Sequence, residues 1–307
     1  MRSNTFYTTM ENQTKILVTH NGSFHADDIF ATVVLSMVLE KEGQKFQVVR
    51  TRDPEMIKNA DYVYDVGGIY DEATNRFDHH QVGGAGKNEF GIEYSSFGLV
   101  WKKFGEQVCG SKKIADVINK KLVAPVDAHD NGMDLVENKY DVSPYNLQYF
   151  FYSMVPTWRE TNITNDEMFF ESIEIAKKVL QREIIQARDI ITSEEAIAEI
   201  YKNTEDKQIL IFDKNYPSAE VLQGFPEPLY AVYPRVDNTW GVKAIRNDIK
   251  SFKNRKDFPV SWAGLKDKEL QTVTGVNDAI FCHRALFLAV AQSKEGARKL
   301  AELAIKN

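Results

Sequence analysis

K-I-L-V-T-H-N-G-S-F-H-A-D-D-I-F, residues 15–30, compresses a strand, a turn and a helix start into one short segment. Lys15–Thr19 is an apolar run of strand length, and His20-Asn21-Gly22 is a turn signal. From Ala26 onward the pattern becomes helical. Ile29, Phe30, Val33, Val34, Met37 and Val38 are apolar on more than one face, as in a helix buried within an α/β layer. Phe46–Arg50 reads as a second strand and residues 62–66 as a third, closed by Gly67-Gly68. This rhythm predicts an α/β fold with a mostly parallel sheet flanked by helices.

Farther out the pattern loosens. A glycine-rich loop occupies residues 82–88, helical stretches follow at 97–106 and 112–122, and 123–132 reads as a loop. Residues 164–203 are dense in Glu, Ile, Ala and Lys and predict one or two long helices joining domains. Strands resume at 208–212, 229–233 and 240–245, and 294–305 reads as a surface helix. The expected organisation is a catalytic metal-binding domain at 15–160, a helical connector at 161–205, and a smaller α+β substrate-binding domain at 206–307.

Length, charge and cysteine usage narrow the function classes. At 307 residues there is room for two cores. A net charge of -6 argues against coating nucleic acid by bulk electrostatics, although a local basic groove or bound metals can still meet phosphates. Cys109 and Cys282 lie outside any C-x-x-C pattern, so neither a disulfide framework nor a cysteine zinc site follows, and a reducing compartment fits. The longest apolar run, 29–39, falls short of the ~20 residues a bilayer requires. Residues 1–14 are polar, lack a signal-peptide core and read as a dispensable leader, with Met10 as a second start. Cytoplasm is the expected location.

Five of the six histidines sit beside carboxylates at turn or loop positions. His20, His25 and Asp27 fall within the opening segment, and His25 and Asp27 share a side if the chain there is extended. Asp65 ends a strand, where ligands collect in parallel α/β sheets. Asp78-His79-His80 follows another strand-like stretch, and Asp127, His129 and Asp130 lie together farther on. A single His-Asp pair is more often a hydrogen bond than a ligand set, but five such coincidences point to a metal site. Mixed imidazole and carboxylate donors suit Mn²⁺, Fe²⁺, Co²⁺ or Zn²⁺. Two ions ~3.5–4 Å apart can activate a water and clamp a phosphoryl group, with Asp65 placed to bridge them.

The D-H-H triplet at 78–80, with the upstream cluster, resembles the DHH phosphoesterase superfamily, which includes RecJ-type exonucleases and family II inorganic pyrophosphatases. Longer strings are similar to the Myg family of metal-dependent hydrolases. They are T-H-N-G-S-F-H-A-D-D (19–28), Y-D-V-G-G-I-Y-D (64–71), R-F-D-H-H-Q (76–81), D-N-G (130–132), G-F-P-E-P-L-Y-A-V-Y-P-R (224–235), W-A-G-L (262–265) and T-G-V-N-D-A-I-F-C-H (274–283). The resemblance implies a DHH-type catalytic domain closed by a smaller domain, and the family's eukaryotic member is described as a 3′–5′ RNA exonuclease. It implies one ion on His20, His25 and Asp65, and a second on Asp27, Asp65, His79 and Asp127. His80 would face the scissile phosphate, while Asp28, Asp78 and Asp130 would orient the ligands. The pyrophosphatase-like motif carries Asp where this chain has His25, which favours softer ions such as Mn²⁺ or Zn²⁺ over Mg²⁺.

In the second domain, Arg235 after an apolar strand is a natural bidentate phosphate partner. His283 is expected to contact substrate, and 285–290 reads as a buried strand. Lys250 to Lys256, with Phe252 inside, can track a single strand or simply be solvated surface. Gly86-Lys87 does not complete a P-loop, and neither cysteine nor serine hydrolase motifs occur.

The reading is a manganese-dependent phosphodiesterase on RNA or DNA ends, with a homodimer allowed. Its rivals are a small-molecule pyrophosphatase or dinucleotide phosphodiesterase, and a non-catalytic metal-binding module.

Overall fold

The computed structural model describes residues 13–248 and 250–307, so most of the expected leader at 1–14, with Met10, lies outside the described residues. Two compact units are present, one running to Ala187 and the other from Arg188 to Asn307.

The first unit begins with β1 (Lys15–Thr19), α1 (Ala26–Lys41), β2 (Phe46–Arg50), α2 (Pro54–Asn59), β3 (Tyr62–Tyr64), β4 (Tyr70–Asp71) and β5 (Arg76–Phe77). The strands form one sheet in the order β2-β1-β3-β5-β4, parallel except for the β4–β5 pair. The chain leaves β1 toward β2, then crosses to β3 on the other side. That reversal opens a crevice beyond the carboxyl ends of β1 and β3. Register does the rest: Val18 pairs with Val63, and Tyr64 with Phe77. Residues following β1, β3 and β5 therefore leave the sheet side by side.

Helices α3 (Ser96–Cys109), α4 (Lys112–Ile118), α5 (Ala124–Asp130), α6 (Leu147–Tyr152) and the start of α7 (Asn165–Asn203) complete this unit. Helix α1 is buried on almost every face, as its all-round apolarity requires, and Phe30 stacks on Phe97 of α3 and edges Phe151 of α6. The sequence expectation of a loop at 123–132 is corrected. A π-helical turn at Asn119–Val123 carries α4 directly into α5. Pro125 falls just after the π-helical turn, so the helical bond its ring nitrogen cannot make is lost at this junction rather than within a regular α-helix.

Asp61 ties the starts of β1 and β3 together, accepting from the Ile16 amide at 2.8 Å and from Lys15 Nζ at 2.8 Å. Burial opposes ionisation, but the Lys15 contact and the amide outweigh it and hold the carboxyl below its usual range. A depressed carboxylate pKa stabilises above the unfolded value and loses that contribution as pH falls through the folded one. Asp61→Asn is expected to cost at most about 1 kcal/mol at neutral pH, because the pair is partly exposed. The gap between variant and parent should close under acid; a gap in urea midpoint unchanged from pH 7 to 3 would contradict this.

In the second unit, the remainder of α7 leads to β6 (Ile209–Ile211), β7 (Tyr230–Pro234), β8 (Trp240–Ala244), α8 (Asp267–Thr274), β9 (Ala279–Cys282), β10 (Leu288–Ala291) and α9 (Lys294–Lys306). The sheet order is β6-β7-β8-β10-β9, parallel at β6–β7 and antiparallel elsewhere. Ala297, Leu300, Ala301 and Ala304 of α9 join Val232, Val242, Ala244 and Ala289 in its main core. This is the expected α+β domain. The connector is a single helix, and the division between units falls inside it. The strand expected at 285–290 starts later, at Leu288, because Leu286 adopts a left-handed turn conformation with φ 57°.

No helix among the described residues is long and apolar enough to cross a membrane.

Candidate metal centre

His20 follows β1, Asp65 follows β3 and Asp78 follows β5, so register alone gathers three of the expected residues at one sheet edge. Asp65 is held in the left-handed region with φ 55°, a strained setting for a residue with a Cβ. Gly67 and Gly68 behind it also take positive φ, and the Gly68 amide donates to Asp78 Oδ2 at 2.5 Å. The D-V-G-G turn thus aims the Asp65 carboxylate into the crevice while anchoring Asp78.

The opening segment supplies the next limb. His25 is the extended residue before α1, and Asp27 lies in its first turn, so the two are not related by an extended backbone as the sequence suggested. Asp28 Oδ1 accepts from the His25 amide at 2.9 Å and fixes the helix start. Arg50 pins the intervening loop: its guanidinium donates to the Gly22 carbonyl at 2.7 Å and to Asp166 at 2.6 Å, 4.4 Å from the Phe169 ring centroid.

Four imidazoles surround Asp65. His80 Nδ1 lies 3.6 Å from Oδ1, and three more deeply placed nitrogens complete the set: His20 Nε2 3.2 Å from Oδ2, His25 Nδ1 3.6 Å from Oδ2, and His79 Nε2 3.6 Å from Oδ1. These three nitrogens and both Asp65 oxygens are buried and have no hydrogen-bond partner. They converge on shared space rather than on one another. Buried polar atoms left this way are costly, and a divalent cation is the partner that suits such a donor mixture.

Among the described residues the ligand atoms gather in two triads, His20–His25–Asp65 and Asp27–His79–Asp130, and in a group of four, Asp65–Asp78–His79–His80, that overlaps both, each within 4.8 Å of one another. Asp130, beside the expected ligand Asp127, approaches the imidazoles: its Oδ2 is 3.2 Å from His79 Nε2 and its Oδ1 3.7 Å from His25 Nδ1, while the buried Asp127 Oδ2 has no hydrogen-bond partner. Asp127 sits three residues earlier on α5, with Oδ1 accepting from the Ser95 amide and hydroxyl at 3.1 and 2.7 Å. The same hydroxyl lies 2.5 Å from Asp27 Oδ1, and since it has one proton to share it links the two acids. The family resemblance gave Asp130 a supporting role and Asp127 the ligand position.

Charge crowding is severe. Burial, reinforced by Asp130 and Asp65, raises the Asp27 carboxyl well above its ordinary value. Burial pushes Asp28 up to about 6 and Asp127 up to about 7. Burial would lower His79, but the Asp130 and Asp65 carboxylates outweigh it and hold the imidazole at about 11. Asp65 goes the other way: burial opposes its ionisation, and the surrounding imidazoles bring it below the carboxylate range.

His80 differs from its neighbour. Its side chain is 61% exposed, and Nδ1 is 2.7 Å from Asp78 Oδ1, which raises its pKa despite partial burial. It lines a cleft of about 400 Å³ with His20, His25, Asp65, Asp78 and Arg52. Arg52, which the sequence reading passed over, is the one fixed positive charge among the lining residues. Nothing in its local sequence marks it, because the sheet order alone brings the end of β2 beside that of β1.

Arg235 and His283 belong to the second unit. Arg235 donates to Thr239 at 3.1 Å and to Asp237 at 3.2 Å within the β7–β8 turn. His283 Nδ1 accepts from the Ala285 amide at 3.0 Å, with its ring centroid 4.4 Å from that of Phe287. Both are engaged locally in their turns. In the basic stretch, Arg255 donates to the carbonyls of Phe225, Pro228 and Leu222, and Lys256 to that of Ile305, so half of its charge is structural.

Gly98 shows how tightly Asp127 is held. A Cβ there would lie 2.4 Å from the Asp127 carboxylate. Gly98→Ala should destabilise the protein by about 1–3 kcal/mol, as overpacking does. A change in denaturation free energy below ~0.5 kcal/mol would mean that Asp127 moves freely.

A family profile named MYG1 exonuclease and described as "Uncharacterised protein family (UPF0160)" matches residues 16–305. The MYG1 exonuclease of Mus musculus is 30% identical over 320 residues, covering 92% of this chain and 83% of that protein. The MYG1 protein of Chlamydia trachomatis serovar D is 31% identical over 294 residues, covering 94% and 96%. RecJ from Thermus thermophilus in complex with Mn²⁺ aligns over 95% of this chain and 52% of that chain, at 11% identity and a TM-score of 0.29, too low to support an argument. The profile takes in the metal-centre residues and extends through both units, and the chain belongs to the MYG1 family.

Proposed function

We propose that the protein is a metal-dependent phosphoester hydrolase, a 3′–5′ exonuclease on single-stranded RNA or DNA. Two divalent cations would sit on His20, His25 and Asp65 and on Asp27, His79 and Asp130, with Asp65 shared. The observation that carries this is the buried Asp65 carboxylate, without a hydrogen bond at either oxygen and faced by four imidazoles. Relatives named MYG1 exonuclease support the choice of nucleic acid.

The cations would lower the pKa of a water and offset charge on the phosphoryl oxygens. The chain's own groups take the remaining tasks. Asp78 holds His80 Nδ1, which leaves Nε2 to deliver a proton to the leaving oxygen. Arg52 is the bidentate partner for a phosphate entering the cleft. Asp28 and Asp127 fix the helix starts that carry Asp27 and Ser95. Mn²⁺ fits the high imidazole share better than Mg²⁺.

The direct experiment offers labelled oligonucleotides to the purified protein with Mn²⁺ or with EDTA. Stepwise shortening from the 3′ end, stopped by EDTA, is expected. A cleft of about 400 Å³ also admits a smaller phosphoester. Phosphate release from pyrophosphate with oligonucleotides left intact would transfer the assignment to a small-molecule phosphatase. Bound Mn²⁺ with no turnover on either substrate would indicate a binding module.

A further inference from the structure

Beside the metal centre lies an exposed row of aromatic rings that the reaction does not use. Tyr145, Tyr149 and Tyr152 are 70%, 42% and 46% exposed. The Tyr149 ring lies 6.1 Å from Tyr145 and 5.8 Å from His129, and His129 lies 6.5 Å from Tyr152, measured between centroids. Single exposed aromatics need no explanation, but four linked ring to ring, Tyr145–Tyr149–His129–Tyr152, form a continuous surface.

Two anchors lock this row to the centre. His129 immediately precedes Asp130 on α5. From the other side, the buried Gln148 of α6 accepts from the Ala26 amide at 2.8 Å, between His25 and Asp27. Phe151 is buried against Phe30, so α6 is seated firmly while its tyrosines face outward. Asn146 caps α6 through the Tyr149 amide at 3.0 Å and contacts His129 Nδ1 at 3.4 Å. The rings therefore sit on a rigid ledge continuous with the candidate centre.

We infer that this ledge binds the bases of a single-stranded nucleic acid by stacking and presents its end to the metal centre. The inference rests on the nuclease reading and adds the means by which a protein of net charge -6 holds a polyanion. Stacking acts on the bases rather than on the phosphate charge and tolerates every base, because each has a π-face. Tyrosine suits it, with a flat apolar body and a hydroxyl left in water. The ledge would therefore give affinity without sequence preference.

The test separates bases from backbone. Binding of a fluorescent single-stranded 8-mer, and of an abasic strand of equal length, is measured by anisotropy in EDTA; cleavage of both is measured in Mn²⁺. The parent should bind the base-bearing strand more tightly. Tyr149→Leu and Tyr152→Leu should each weaken it about tenfold, within the range for a lost base–aromatic stack, and leave the abasic strand unchanged. Tyr149→Trp should restore binding, which a merely structural role would not allow. Equal weakening on both strands, no weakening, or a change of oligomeric state in the leucine variants would overturn the inference, the last by showing that a second copy of the chain covers the ledge. Cleavage of both strands by the parent with no preference for bases would overturn the ledge and leave the hydrolase reading standing. Base-dependent binding without cleavage would do the reverse.

Discussion

Asp65→Asn is expected to reduce phosphodiester hydrolysis by at least about 10³-fold, the equivalent of about 4 kcal/mol of transition-state stabilisation. The substitution is nearly isosteric, and asparagine tolerates the left-handed backbone that Asp65 adopts at φ 55°. Fold damage should therefore be small, and the melting temperature in EDTA should stay close to that of the parent. What changes is the carboxylate proposed to be shared, whose two oxygens face His20 and His25 on one side and His79 and His80 on the other. Mn²⁺ should raise the melting temperature of the parent, since a ligand that binds only the folded state stabilises it. The variant should lose that response along with activity. A variant that keeps activity within tenfold, or the full thermal response to Mn²⁺, would remove Asp65 from the bridging role.

The second large effect distinguishes two acids three residues apart. Asp130→Asn should weaken Mn²⁺ binding by at least about 10-fold and lower activity in parallel. Its carboxylate reaches imidazoles of both triads, at 3.2 Å from His79 and 3.7 Å from His25. Asp127→Asn should instead mainly lower stability, by about 1–3 kcal/mol, because it disturbs a buried hydrogen-bonded network with Ser95. Titration of Mn²⁺ by calorimetry, paired with urea denaturation, reads the two quantities separately. The opposite pattern, with Asp127→Asn abolishing cation binding and Asp130→Asn harmless, would restore the ligand set that the family resemblance implied.

Much of this centre was legible before any coordinates. The Lys15–Thr19 run, the H-N-G turn and the helix from Ala26 matched the structure closely, since each is specified by neighbours a few residues away. The same holds for Asp65 and Asp78 at strand ends, which apolar runs and glycines mark in the chain. Helix α5 was missed for an equally local reason: Pro125 and the polar D-A-H-D-N-G run signal a loop. The π-helical turn that carries the chain into it leaves no mark in the periodicity.

Sequence alone therefore marked the candidate ligands by residue type, and showed that several of them end strands of a mostly parallel sheet. Tertiary structure decided the partnerships. Strand order set Arg52 beside the cleft, helical spacing brought Asp130 to 3.2 Å from His79, and the buried Gln148 joined an aromatic ledge to the start of α1. Periodicity records the forces between near neighbours in the chain. Convergence across a hundred residues depends on sheet register and core packing, which no local pattern encodes.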